Sequence, residues 1–133
     1  MKKQRPFADR RSAGRQLAQV LAEKKLDAPV VLALPRGGVA VAAEVADALG
    51  APLDIVLVRK IGVPSEPELA AAAVVDGGNA EIVTNDDVIE RAGLTPADLE
   101  KGFKRELEEI ERRRSAYMQG RWRVPLEGRT LIV

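Results

Sequence analysis

The run from Val30 to Gly50, VVLALPRGGVAVAAEVADALG, constrains the fold more than any other part of the chain. Pro29 to Leu34 is a short, unbroken apolar stretch, which suits a strand buried on both faces. Pro-Arg-Gly-Gly interrupts it. Val39 to Leu49 then resumes as an Ala- and Val-rich helix, and Gly50 fits the position just beyond a helix C-terminus. A second apolar run, Pro52 to Val58 (PLDIVLV), follows at once. Strand, helix and strand within about 30 residues make a βαβ unit, whose crossover is right-handed in nearly all proteins. Two parallel neighbouring strands are expected.

The remaining segments build around that unit. Residues 1–8 read as a mobile tail, and Asp9 to Lys25 as an amphipathic helix with Ala13, Leu17, Val20 and Leu21 on one face. RKIGVPSEPE, with two prolines and a glycine, reads as a loop. LAAAAVV and AEIVT flank DGGN, a hairpin signal. Asn85 is a candidate N-cap for a short helix ended by Gly93, and Thr95, Pro96 and Asp98 form the start signal of a longer one. That longer helix carries Leu99, Phe103, Leu107 and Ile110 on one face, with Glu100–Lys104, Glu108–Arg112 and Glu109–Arg113 as i,i+4 pairs on the other. A turn at Glu127-Gly128 leads into a last strand, Arg129 to Val133.

Composition narrows the chemistry. With 133 residues the chain is long enough for one modest domain, and with 3% aromatics its core must come from Ala, Val, Leu and Ile. The net charge of +1 argues against a design for nucleic acid or membrane surfaces. Cysteine and histidine are both absent. That excludes a disulfide framework, a thiolate zinc site and nucleophilic catalysis by Ser-His-Asp or Cys-His. No run approaches the roughly 20 apolar residues of a membrane span, so a cytoplasmic protein is the default expectation.

Pro-Arg-Gly-Gly sits where ligands gather in parallel sheets, beyond the carboxyl end of a strand. Gly37 and Gly38 let the backbone approach an anion and aim successive N–H groups at it, and the following helix turns its N-terminus to the same point. Arg36 adds a forked donor suited to phosphate oxygens. The loop matches neither the dinucleotide pattern G-x-G-x-x-G nor the Walker pattern. A tight strand–helix turn with an exposed arginine is the plain alternative. Arg59-Lys60, at the end of the second apolar run, would add two more cations; ordinary loop charge is the plain alternative there.

These residues carry a resemblance. PVVLALPRGGVAVAAEVADALGAPLDIVLVRKIGVPSEPELAAAAV, with FADRRSAGRQLAQVL before it and LEGRTLIV at the end, resembles phosphoribosyltransferases of the type I fold. The resemblance implies an α/β fold: a parallel sheet flanked by helices, with an inserted β-hairpin and helical segment between the second and third core strands. It also implies a site for phosphoribosyl pyrophosphate (PRPP). Arg36, Gly37 and Gly38 would form the pyrophosphate loop, where relatives often hold a non-proline cis peptide. Arg59 and Lys60 would open a mobile loop that closes over PRPP, running from Gly62 to Glu68 and including Pro64, Ser65 and Glu66. Mg²⁺ would arrive with PRPP, with no protein ligand identifiable. A nucleobase or other acceptor would attack C1 of the ribose as pyrophosphate leaves, and no residue stands out as catalytic.

In the family, the strand beginning GRTLIV runs into a paired-acidic, Gly- and Thr-rich loop that holds the ribose and the 5′-phosphate. This sequence stops before it, so a C-terminally truncated domain of weak or no activity alone is expected. A homo-oligomer, or association through the exposed terminal strand, is the expected assembly. Two other classes compete. One is a non-catalytic sensor of PRPP or nucleotide, or a nucleic-acid binder using the basic ERRRSAYMQGRWR stretch with Tyr117 and Trp122. The other is a structural fragment that needs a partner chain.

Overall fold

The computed structural model describes residues 6–76 and 80–133. In chain order the elements are α1 (Arg10–Ala22), β1 (Val30–Ala33), α2 (Gly37–Leu49), β2 (Leu53–Ile55), β3 (Val58–Val63), β4 (Glu66–Val75), β5 (Glu81–Thr84), α3 (Asp86–Ala92), α4 (Pro96–Met118) and β6 (Leu131–Ile132). They form two compact units. The first comprises the chain up to Val56 together with Arg123–Val133, and the second Leu57–Trp122. No helix among the described residues is long and apolar enough to cross a membrane.

The first unit is a parallel three-stranded sheet in the order β2-β1-β6. Val31 lies opposite Leu53, Ala33 opposite Ile55, and Val30 opposite Leu131. As the central strand, β1 has all four residues buried, which is why its sequence shows no alternation. Ala18 of α1 packs with Val31 and Ala33 of β1 and with Ala42, Val45 and Ala46 of α2 to form the core. These side chains are small, so the helices must come close to fill it. Gly14 permits this: a Cβ there would lie 2.7 Å from the Val41 carbonyl oxygen and 2.9 Å from the Glu44 Cβ. At the start of α1, the Asp9 carboxylate accepts the Ser12 N–H at 2.7 Å. Of the expected tail, residues 1–5 lie outside the described residues, and Pro6 to Ala8 bend into this cap.

The second apolar run stops being a strand earlier than its hydropathy suggests. β2 ends at Ile55. Asp54 within it is buried, and its carboxylate accepts the N–H of Ile55 at 2.8 Å and that of Val124 at 2.9 Å. The last strand, β6, spans only Leu131–Ile132 and pairs parallel to β1 as expected.

The second unit, inserted between the second and third strands of the parallel sheet, is an antiparallel sheet in the order β3-β4-β5 with α3 and α4. The expected hairpin is the β4–β5 pair, with Val75 opposite Glu81; residues 77–79 of the DGGN signal lie outside the described residues. RKIGVPSEPE is the larger correction. Instead of a loop, it is most of β3, a turn at Pro64-Ser65 and the start of β4. Its glycine and second proline are tolerated because the β3–β4 ladder is irregular there, with register shifts on either side of Gly62. Extra residues on β4, Pro67 among them, fall out of the pairing, so the missing proline N–H costs no ladder bond.

α4 opens with the expected capping box, Thr95 to the Asp98 N–H and Asp98 back to the Thr95 N–H. The Thr95 backbone N–H foremost, and then the Thr95 side chain, hold the Asp98 carboxyl below its usual range by hydrogen bonding to it. The helix buries Gly102, Glu106, Ile110 and Arg114, so its inner face is partly charged, while Leu99, Phe103 and Leu107 are only half-buried. Glu100–Lys104 and Glu109–Arg113 pair as expected. Arg112 turns to Glu109 rather than Glu108, with Nη2 2.6 Å from Oε1. Hydrogen bonds from Arg112 and then Arg113 lower the Glu109 carboxyl to about 2.

Candidate anion-binding site

β1 delivers the chain to Leu34, which is half-exposed, and the next residues turn directly into α2. The Pro35–Arg36 peptide bond is cis. Arg36 is the N-cap residue of α2, without a side-chain cap, and both Arg36 and Gly37 are exposed. The Gly38 N–H donates to the Leu34 carbonyl at 3.1 Å and the Val39 N–H to the Arg36 carbonyl at 3.2 Å. Gly38 therefore closes the turn and spends its donor within it. Among the described residues, no acceptor takes the N–H of Arg36 or Gly37, so these two are the outward donors, instead of the Gly37–Gly38 pair that the sequence suggests.

Arg10, the first residue of α1, also reaches this loop. An ideal Cβ on Gly37 would lie 3.2 Å from both Nε and Nη2 of Arg10 and 3.4 Å from its Cζ. The guanidinium is thus laid across the face of the glycine. Nothing in the sequence singles out Arg10 among the five basic residues of KKQRPFADRR. Its position follows from the close approach of α1 and α2 at Gly14. Beside the loop an open apolar groove of about 230 Å³ is lined by Leu17, Leu34, Gly38, Val41, Ile132 and Val133.

Arg36, Gly37 and Gly38 belong to the first unit, whereas Arg59, Lys60, Gly62, Pro64, Ser65 and Glu66 belong to the second. Arg59 and Lys60 do not share a face of β3. They are successive residues of β3, and successive side chains of a strand point to opposite faces. Arg59 lies on the same side as buried Ile61 and Val63, and its Nε donates to Glu106 Oε2 at 2.9 Å. The Glu106 side chain is 11% exposed and also faces Arg105, whose Nε lies 3.5 Å from Oε1. Lys60 is exposed on the other side. Gly62 and Glu66 lie in strands, leaving Pro64 and Ser65 as an exposed turn. A cleft of about 200 Å³ is lined by this turn and the start of α4, with Asp98, Lys101 and Arg105 among its polar groups.

Asp76, part of VVDGG, is buried and meets Arg114 of α4, with Oδ2 3.2 Å from Nη1. Trp122 is 93% exposed just beyond α4. Among the described residues there is no cluster of three carboxylates that could hold a metal ion.

No family model matches the chain. Two curated proteins of Mycobacterium tuberculosis, from strains CDC 1551 and H37Rv and both named "Putative phosphoribosyl transferase", are 49% identical to it over 127 residues. The match takes in 96% of this chain and 28% of each relative, so the chain spans little more than a quarter of their length. Among solved structures, the crystal structure of TT1426 from Thermus thermophilus superposes with a TM-score of 0.76 at 44% identity, over 94% of this chain and 58% of that one. In sequence, then, this chain is like proteins named putative phosphoribosyl transferases, and in fold it is like TT1426.

Proposed function

We propose that the turn from Pro35 to Gly38 binds the pyrophosphate group of PRPP and that the chain is the corresponding part of a phosphoribosyltransferase. The observation that carries this reading is the position of the turn. It leaves the carboxyl end of the central parallel strand, opens directly into a helix N-terminus, and exposes Arg36 with two uncommitted N–H groups. The names of the curated relatives point to the same chemistry.

In the reaction, the bond between ribose C1 and the pyrophosphate oxygen breaks as the acceptor's lone pair forms a new bond to C1. Negative charge grows on the departing oxygen. Arg36 and the Arg36 and Gly37 N–H groups would receive that charge, and donors fixed in advance stabilise it more than water does. Mg²⁺ enters as part of the PRPP complex. In the second unit, the β3–β4 turn at Pro64-Ser65 would serve as the closing element, with Arg59 and Lys60 in the strand leading to it. The acceptor is left open, with a nucleobase as one class.

Calorimetric titration with inorganic pyrophosphate tests the reading. Losing a charged donor is worth about tenfold or more in affinity, so Arg36→Ala should weaken binding by that factor and Arg121→Ala should not. Equal effects of the two substitutions, or no binding by the unaltered chain, would overturn it.

A further inference from the structure

The contact between Arg10 and Gly37 is not explained by packing. Arg10 is exposed, and so is Gly37. Among the described residues no carboxylate pairs with Arg10 or with Arg36. The carboxylate next to Arg10 in sequence, Asp9, is committed to capping the Ser12 N–H. A cation is therefore held against the backbone residue that follows another cation, with no anion supplied by the described residues.

The placement is built by the helices. Arg10 meets Gly37, and four residues on, Gly14 meets Val41. The two contacts advance together, so α1 and α2 run in the same direction with their N-termini at the same end. Gly14 keeps the helices close enough for Arg10 to reach the loop, and Gly37 offers a face without a Cβ on which a planar guanidinium can lie. Lysine, a point charge on a flexible stem, would gain nothing from that flat seat.

Resting on the reading of this loop as a pyrophosphate site, we propose that Arg10 is its second guanidinium, and that Arg10 and Arg36 together make the loop select a diphosphate over a single phosphate. One phosphate can satisfy one forked donor fully. A diphosphate has oxygens enough, and charge enough, for two.

The test is calorimetric titration of inorganic pyrophosphate and, separately, inorganic phosphate into the unaltered chain and into Arg10→Ala, Arg10→Gln, Arg10→Lys, Arg36→Ala and Arg11→Ala. Arg11, exposed on the same helix turn, is the control. Arg10→Ala and Arg10→Gln should weaken pyrophosphate about tenfold while changing phosphate less than about threefold, with Arg10→Lys between them and the unaltered chain. Circular dichroism melts identify any variant that fails to fold, and the glutamine and lysine variants then decide. If Arg36→Ala weakens pyrophosphate but the Arg10 variants behave like Arg11→Ala, Arg10 is no part of the site and the pyrophosphate reading survives. If both anions weaken equally on losing Arg10, the selectivity claim fails. If the unaltered chain binds no pyrophosphate, the pyrophosphate reading falls and Arg10 with it.

Discussion

Asp76 shows how a residue's sequence context can mislead. In VVDGGN it reads as a turn former, yet its side chain is 4% exposed and faces the Arg114 guanidinium, itself 10% exposed, 38 residues further along the chain. Removing one member of a buried ion pair takes from the other charge a counterion it was buried with, so Asp76→Ala should destabilise the protein by about 3–5 kcal/mol. Urea denaturation would measure this, and a loss below about 1 kcal/mol would show that water already reaches Arg114. The double substitution Asp76→Leu with Arg114→Met should recover much of the loss, because it removes both charges together. Glu106 belongs to the same class: a buried acid on a helix whose sequence looks like an ordinary solvated mix of Glu and Arg. Charge order along α4 cannot show which of its acids turn inward, because that depends on β3 and β4, residues far away in sequence. The outward loop residues were easier to read. Arg36 and Gly37 stand out through strand-to-helix punctuation, which is local. The use of the Gly38 N–H within the turn and the arrival of Arg10 both depend on tertiary geometry.

Helix and strand signals were legible wherever they were local. The unbroken run of β1, the Gly50 and Gly93 stops, and the Thr95–Pro96–Asp98 start each correspond to an observed element or boundary. β3 was not legible, because proline and glycine mark loops in isolation and only the irregular pairing with β4 makes them compatible with strands. The α1–α2 contact was also hidden, since one glycine in an amphipathic helix usually counts only as a weak position. Here Gly14 sits directly against the Val41 backbone of α2. Alanine is the better helix former by about 1 kcal/mol, so on propensity alone Gly14→Ala should stabilise α1. Its Cβ would instead press on the Val41 backbone, which cannot rotate away as a side chain can. Overpacking of this kind costs about 1–3 kcal/mol, so the substitution should be neutral to destabilising in a thermal melt. It should also weaken pyrophosphate binding by moving Arg10 off the loop. A clear rise in melting temperature would mean that the helices separate at little cost.

The chain leaves the first unit after Val56 and returns to it at Arg123, so the first unit is assembled from two stretches with the second unit between them. Such an arrangement needs something to hold the returning stretch beside the departing one. Asp54 supplies it. Buried in β2 just before the departure, it accepts the N–H of Ile55 and, across 70 positions of sequence, that of Val124 just after the return. β6 then joins β1 through the Val30 N–H, which donates to the Thr130 carbonyl at 2.8 Å. Asp54→Ala leaves both N–H groups without their acceptor, at about 1–3 kcal/mol for each one that stays buried. If that carboxylate is what locks the return, the damage should appear first in the elements it joins. Hydrogen–deuterium exchange followed by mass spectrometry should then show β1, β2 and β6 opening sooner in the variant, while the β3–β4 hairpin and α4 keep their protection. Asn at the same position keeps one acceptor oxygen and should fall between Ala and the unaltered chain. Equal acceleration in every element would mean that the two units open as one cooperative body, and that Asp54 contributes only to their common stability.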